Sequence, residues 1–317
     1  MIRRMEFKDI EEIKEIDKLC FKAKNNRTTE GIQRYIETGS NSSLVYEIDN
    51  RVVGYNFVHP CGSFGWFGPF GVHPQYQGNG IGKDLINHTI KTLKEDYKVS
   101  TIGLNTMPES QYNVGFYMSL RFTPLKLSIS LKKQLDFSNP LIVSTNYTVN
   151  EIDISDELNY LNLKDNLILM TNRVFNNYDL TSELELIRYE AVGTAFVLKV
   201  DNKIHGIVIC HTKSIRETST KNLQIKLAII DNSLTDIHNN LDYKEAIDSI
   251  MYACVNYAKN INYESIAIDC NAYNTEVCNY LMSMHNFKIE NTQVMMLMGE
   301  DNPFKSDRII LLTRLAG

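Results

Sequence analysis

Two stretches of this chain repeat one another at a fixed spacing, and that repeat limits the fold more than any other feature. Residues 43–57 read as two β-rich runs around an Asp49-Asn50 turn, with Gly54 just after it. Residues 195–209 carry the same pattern around Asp201-Asn202, with Gly206, so turn and glycine are both displaced by 152 positions. Further on, Phe116-Tyr117-Met118-Ser119-Leu120-Arg121-Phe122 is matched by Leu281-Met282-Ser283-Met284-His285-Asn286-Phe287 at an offset of 165. Each of these follows an apolar strand, at 101–104 and 265–268. The offsets differ by 13 residues, so the second copy carries an insertion, part of which the polar stretch 212–222 has room to hold.

Each half therefore holds a hairpin, a further strand, a helix, another strand, another helix and terminal strands. The helices fall at 81–95 and 244–259, where apolar residues recur every three or four positions (Leu85, Ile86, Ile90, Leu93; Ile247, Ile250, Met251, Cys254). The first half closes with a strand at 125–133, and the stretch around Ser138-Asn139-Pro140 reads as a linker. The fold class expected is α+β, as two related domains, 1–134 and 148–317, joined by a linker at 135–147. Each would be a mixed, mostly antiparallel sheet flanked by helices. A length of 317 residues suits two such cores.

Composition excludes several classes. A charged fraction of 22% with 17 Tyr and 13 Phe is not that of a disordered chain. No apolar run approaches the roughly 18 residues a membrane helix needs, and the N-terminus turns acidic at Glu6, too soon for a signal peptide. The six cysteines contain no CxxC, so neither a zinc site nor a disulfide framework is indicated. These features lead us to expect a soluble, cytoplasmic protein without metal. The net charge of −5 disfavours nucleic acid, but it is unevenly spread. Residues 1–134 have 18 Lys and Arg against 14 Asp and Glu, and the remainder 15 against 24. A basic half suits a polyanionic ligand and an acidic half a cationic one, although unequal solvated faces would give the same arithmetic.

The segment richest in chemistry is Phe67-Gly68-Pro69-Phe70-Gly71-Val72-His73-Pro74-Gln75-Tyr76-Gln77-Gly78-Asn79-Gly80-Ile81-Gly82-Lys83. A strand ends at Val72, His73-Pro74 breaks it, and three glycines at alternate positions lead into a helix. Glycine tolerates positive φ and lets a ligand approach the backbone. Successive N–H groups there, with the positive end of the helix dipole, make a nest for phosphate. It is not a P-loop, because Asp84 follows Lys83. Nor is it a Rossmann fingerprint, whose glycine spacing and place in the domain differ. A plain tight turn is the alternative.

These residues resemble the GNAT superfamily of acyl-CoA-dependent N-acyltransferases. Gln77-Gly78-Asn79-Gly80-Ile81-Gly82 matches its [QR]-x-x-G-x-[GA] signature, and Val72-His73-Pro74 and Phe116-Tyr117 through Phe122 match its flanking patterns. The resemblance covers 1–134 in order, and the second half in order but without the signature, so two tandem GNAT-like domains are expected, the second degenerate. It implies that the amides from Gln77 through Lys83 (Gln77, Gly78, Asn79, Gly80, Ile81, Gly82, Lys83) take the pyrophosphate of acetyl-CoA. It also implies that Phe70, Gly71 and Val72 belong to a splayed strand that pairs with the pantetheine arm. Pro69, without a donor, and Gly71, which weakens a strand, make such disruption sensible. An N–H at that bulge would face the thioester oxygen.

By the same resemblance Tyr117 stands where the family places its general acid, protonating the departing thiolate. Such an acid needs a pKa near or above the thiol's; a tyrosine simply packed in the core is the other reading. Ser110 replaces the usual cofactor-contacting Asn, with Asn113 one turn later as a substitute, and Arg121 replaces a usual Gly. The general base is open among His59, His73 and Glu109. In the second copy, 231–242 has no glycine and Met282 stands for Tyr117, so that half reads as scaffold or substrate wall.

The expected activity is transfer of an acetyl group from acetyl-CoA to a primary amine of a small molecule or peptide, by direct attack in a ternary complex, in a monomer or homodimer. No cysteine nucleophile is required, and Cys61 has no evident activating partner. The alternatives are a non-catalytic acyl-CoA-binding sensor and an aminoacyl-tRNA-dependent peptidyl transferase, the latter disfavoured by the acidity. The acceptor would be shaped by loops at 21–29 and 64–67, where Trp66 is a wall for a cation or ordinary core.

Overall fold

The computed structural model describes residues 1–21, 26–38, 41–136, 147–213, 221–232 and 242–314. Most of the linker at 135–147 therefore lies outside the described residues, as do parts of the stretches at 21–29, 212–222 and 231–242. The first half runs β1 (Ile2–Arg4), α1 (Ile10–Phe21), α2 (Thr29–Thr38), β2 (Leu44–Ile48), β3 (Arg51–Cys61), β4 (Phe64–Val72), α3 (Ile81–Glu95), β5 (Thr101–Thr106), α4 (Gln111–Ser119) and β6 (Thr123–Gln134). The second runs β7 (Thr148–Ile152), α5 (Glu157–Val174), α6 (Thr181–Glu190), β8 (Gly193–Val200), β9 (Lys203–His211), β10 (Asn222–Asp231), α7 (Tyr243–Asn260), β11 (Ser265–Asn271), α8 (Thr275–Met284), β12 (Lys288–Met298) and β13 (Ile309–Thr313).

Both hairpins form around the expected turns. Asp49 and Asn50, like Asp201 and Asn202, adopt positive φ (48° and 60°; 48° and 63°), as the two-residue turns that match strand twist require. The repeat persists in the registers. Gly54 pairs with Val72, and Gly206 with Ile230, offsets of 152 and 158. Phe64 pairs with Thr101, and Asn222 with Ser265, offsets of 158 and 164. The insertion is therefore divided, six residues before β10, six between β10 and β11, and one between β11 and α8.

The thirteen strands of the described residues join one sheet in the order β1-β2-β3-β4-β5-β12-β6-β11-β10-β9-β8-β7, with β13 also paired to β10. The two halves exchange strands at its middle. β6 does not close its own half; both its partners, β11 and β12, come from the second. β12 in turn covers the edge of β5. Pairing is antiparallel except for β4–β5 and β10–β11.

Helices α3 and α4 pack over one face of the first half around Val58, Phe67, Ile86, Leu104, Tyr117 and Phe122, a core that also takes Val294 and Met296 from β12. Helices α1 and α2 cover the other face with Ile13, Ile16, Ile32 and Tyr35 against Val45, Tyr55 and Phe57. The seam between halves is a third core, in which Phe64 and Trp66 of β4 meet Leu297, Tyr178, Leu163 and Leu227. Packing there is tight. A Cβ on Gly103 would stand 2.4 Å from the Trp66 ring, so only glycine lets the indole lie across β5.

Candidate active site

The site begins where the sheet splits. β4 and β5 pair only through Phe64↔Thr101, Gly65↔Ile102 and Trp66↔Gly103. Against β3, Asn56 pairs with Phe70 and Val58 with Phe67, so Gly68 and Pro69 together face the single residue Phe57. This is a β-bulge. Gly68 takes a φ of 126° that favours glycine, and Pro69 has no N–H to offer a neighbouring strand. Beyond Trp66 this edge of β4 has no ladder partner among the described residues, and a slot opens between residues 67–72 and the end of β5.

The slot leads to the glycine loop. His73 Nδ1 accepts the Gln75 N–H at 3.3 Å, and the Gln77 side-chain amide donates to the Val72 carbonyl at 2.9 Å. Gly78 and Gly80 adopt φ of 83° and 82°, and at both a Cβ would meet nothing within 4 Å. The Gln77 N–H donates to Pro74 O, and the Asp84 N–H to Gly80 O. Between these two, the amides of Gly78, Asn79, Gly80, Ile81, Gly82 and Lys83 have no hydrogen-bond partner among the described residues, and no side chain caps the helix. Six successive donors thus stand unpaired at the positive end of α3, the arrangement of an anion nest. Gln77 differs from the others: its main chain and side chain are both engaged in bracing the loop. Gly82 lets the Phe70 ring come over the first turn of α3, where it stacks on Phe116 at 6.4 Å between centroids.

Tyr117 lies on α4 at the same slot. Its ring packs against Phe67 and Phe122, each 6.2 Å away, and its hydroxyl has no hydrogen-bond partner among the described residues. Burial alone pushes its pKa well above the ordinary tyrosine value, so it is a protonated donor at neutral pH. Ser110 is the N-cap of α4, accepting the Asn113 N–H at 3.2 Å, a structural part that the sequence did not disclose. Arg121 adopts a φ of 70° as α4 ends, which explains why a glycine suits that position. Cys61 is buried, and burial pushes its thiol up to about 12, so it is no nucleophile at neutral pH.

Among the three base candidates, His73 is tied into the turn before the loop, and Glu109 is exposed on the β5–α4 connection. His59 stands on β3 beside the apex of the slot, paired across the ladder with Trp66.

The second half has the same split but not the opening. β10 pairs with β11 only from Asn222 to Ile225, and one extra residue, Lys226, bulges against β9. From Leu227 to Asp231 the freed edge of β10 is taken by β13. The chain fills this slot with its own strand, which the sequence did not announce. Met282, at the place equivalent to Tyr117, is partly exposed; the loop at 233–241 lies outside the described residues.

A model of the acetyltransferase (GNAT) family matches residues 10–122. These residues form a GNAT acetyltransferase domain. The fold of the whole chain is shared with solved structures from this family. A Pyrococcus horikoshii protein assigned to the acetyltransferases aligns over 99% of this chain and 94% of its own, at 15% identity and a TM-score of 0.68. A GCN5-related N-acetyltransferase from Sphaerobacter thermophilus aligns over 96% and 98%, at 11% identity and 0.63. Another from Anabaena variabilis aligns over 94% and 72%, at 14% and 0.60. No curated protein sequence matches the chain. GNAT domains carry out acyl transfer, generally from acetyl-CoA. Among the described residues no helix is long and apolar enough to cross a membrane, and no group of three His, Cys, Asp or Glu is placed to hold a metal.

Proposed function

We propose that this GNAT protein transfers an acetyl group from acetyl-CoA to a primary amine of a small molecule or peptide, at one site in the first half. The observation that carries this is the run of six free amides, Gly78 to Lys83, at the head of α3 and the end of a splayed strand. A diphosphate would sit on those amides, with Lys83 adding charge nearby. The pantetheine arm would lie along Phe70, Gly71 and Val72, taking the place that β13 occupies in the second half. Ser110 and Asn113, at the start of α4, border the same ligand. In the reaction the neutral amine attacks the thioester carbon, a C–N bond forms, and the oxyanion is held by main-chain donors at the bulge. The intermediate then expels the thiolate, which takes its proton from Tyr117.

Screening polyamines, aminoglycosides, amino acids and peptide N-termini for thiol release from acetyl-CoA tests the activity. Gly80→Val tests the site. A β-branched residue strains a positive φ by roughly 1–2 kcal/mol, and its side chain would enter the concavity where phosphate must lie. Acetyl-CoA affinity should fall tenfold or more, read by calorimetry, with the fold retained by circular dichroism. Undiminished binding would remove the loop from the site.

A further inference from the structure

We infer that His59 takes the proton from the attacking amine, and that Glu183 and Lys226 of the second half are the charged groups that set its behaviour. This rests on the acyl-transfer reading above and adds to it the missing base and a task for the second half.

Position comes first. His59 is the ladder partner of Trp66, the last residue of β4 still paired with β5, so it stands one strand from the point where the slot opens. Along β3, Tyr55 and Phe57 point into the α1/α2 core and Val58 into the α3/α4 core. His59 continues the first series, with its ring 5.7 Å from that of Tyr35 on α2. Tyr117 belongs to the opposite face. A thioester in the slot would thus have a proton donor on one side of the sheet and an imidazole on the other. Nitrogen loses its proton on one face and sulfur gains one on the other.

The imidazole is also free. Three other histidines have close polar neighbours: His73 with Gln75, His285 with Asp248 at 2.7 Å, and His211 beside Glu183 at 3.4 Å. Neither ring nitrogen of His59 has a hydrogen-bond partner among the described residues, and the residue is half-buried. His211 is its repeat equivalent, 152 residues on, so the two copies present histidines to the same seam, His211 beside Glu183 and His59 without a hydrogen-bond partner.

Three groups act on its ring, Tyr35 from α2, Glu183 from α6 and Lys226 from β10, with His211 from β9 against Glu183 and the Cys61 thiol donating to the His59 carbonyl. Lys226 and Glu183 stand 3.8 Å apart. Burial lowers the His59 pKa to about 4, Lys226 acts in the same sense and Glu183 opposes it. For Glu183, burial is outweighed by Lys226 and His211, which hold it down to about 2. At neutral pH the carboxylate is charged and the imidazole neutral, the state that can accept a proton. In the step itself the N–H pair of the ammonium adduct stays on nitrogen while its proton moves to His59. The C–S pair leaves with sulfur, which takes the Tyr117 proton, and both side chains reset through solvent.

The test is kcat against pH at saturating acceptor, which reports groups in the ternary complex. His59→Gln should lower kcat by about 100-fold and leave acetyl-CoA affinity unchanged. Glu183→Gln removes the group that favours the protonated ring, so the acid limb should move to lower pH. Lys226→Met removes the group that disfavours it, so the limb should rise toward the ordinary histidine value of about 6.5. A purely structural role for the seam would not move the limb in opposite directions. Wild-type turnover in His59→Gln, or shifts of the same sign in both charge variants, would overturn the inference. An error in the transferase reading itself looks different, since the wild-type chain would then release no thiol with any amine.

Discussion

Cutting the chain after Gln134, although this leaves the whole family signature, is expected to yield a polypeptide without a cooperative fold. Residues 102–106 of β5 are laddered to residues 294–298 of β12, and β6 has no partner within the first half. The α3/α4 core would lose Val294 and Met296, both buried. On the other face Phe64 and Trp66 would lose Leu297, Tyr178 and Leu163. Even the turn between β3 and β4 is held by the second half, with the Ser63 N–H donating to Asn177 O at 2.7 Å and the Asp179 N–H to Cys61 O at 3.2 Å. Uncovering large side chains costs about 1.5–3 kcal/mol each. A handful of them consumes the roughly 5–15 kcal/mol of stability that a domain has. Two bare strand edges would also invite aggregation. Thermal unfolding followed by circular dichroism should show no sharp transition in the 1–134 fragment, and mixing with the complementary fragment should restore one. A cooperative transition in the fragment alone would mean that 1–134 and 148–317 are separable domains after all.

That interdependence marks the limit of what the sequence discloses. The hairpins were legible because Asp-Asn turns and flanking alternation are local, and α3 was legible to the residue because its apolar stripe begins right after a glycine run. The partner of a strand is not local. Leu127, Ile129 and Leu131 alternate in the same way whichever neighbour they receive, so the pattern that locates β6 is silent about its exchange into the other half. The same holds for β13, whose run Ile309-Ile310-Leu311-Leu312 reads as a buried strand but not as the plug of a slot. The missing glycine loop and Met282 mark the second half as disarmed in sequence, and among the described residues a strand also closes its slot. His59 was visible and even repeated at the hairpin offset. Its meaning depended on Glu183 and Lys226, which only the seam brings near it. Ser110 shows the converse case, where a residue weighed for a ligand contact turns out to cap a helix.

Tyr117→Phe is expected to reduce kcat by about 10²–10⁴-fold, the usual worth of a positioned acid, while acetyl-CoA binds within about twofold of its original affinity. The substitution removes one oxygen and keeps the ring, whose contacts with Phe67 and Phe122 hold α4 in place. The hydroxyl gives up no internal hydrogen bond, so thermal stability should be unchanged or slightly higher. This separates the two readings of a buried tyrosine. If it were there for packing, phenylalanine would serve as well and turnover would persist. If it is there to protonate sulfur, the loss must depend on the leaving group, because a more acidic thiol departs without help. Acetyl thioesters of graded thiol acidity should therefore show the defect shrinking as the thiol pKa falls, with His59→Gln insensitive to that series because its proton comes from nitrogen. The raised pKa adds a sign to the pH profile. The wild-type phenol stays protonated well above neutrality, so its ionisation should not limit turnover on the alkaline side until beyond the ordinary tyrosine range of about 10. A uniform defect across the thioester series, or none, would move the proton delivery to sulfur away from Tyr117 and leave solvent at the mouth of the slot as its source.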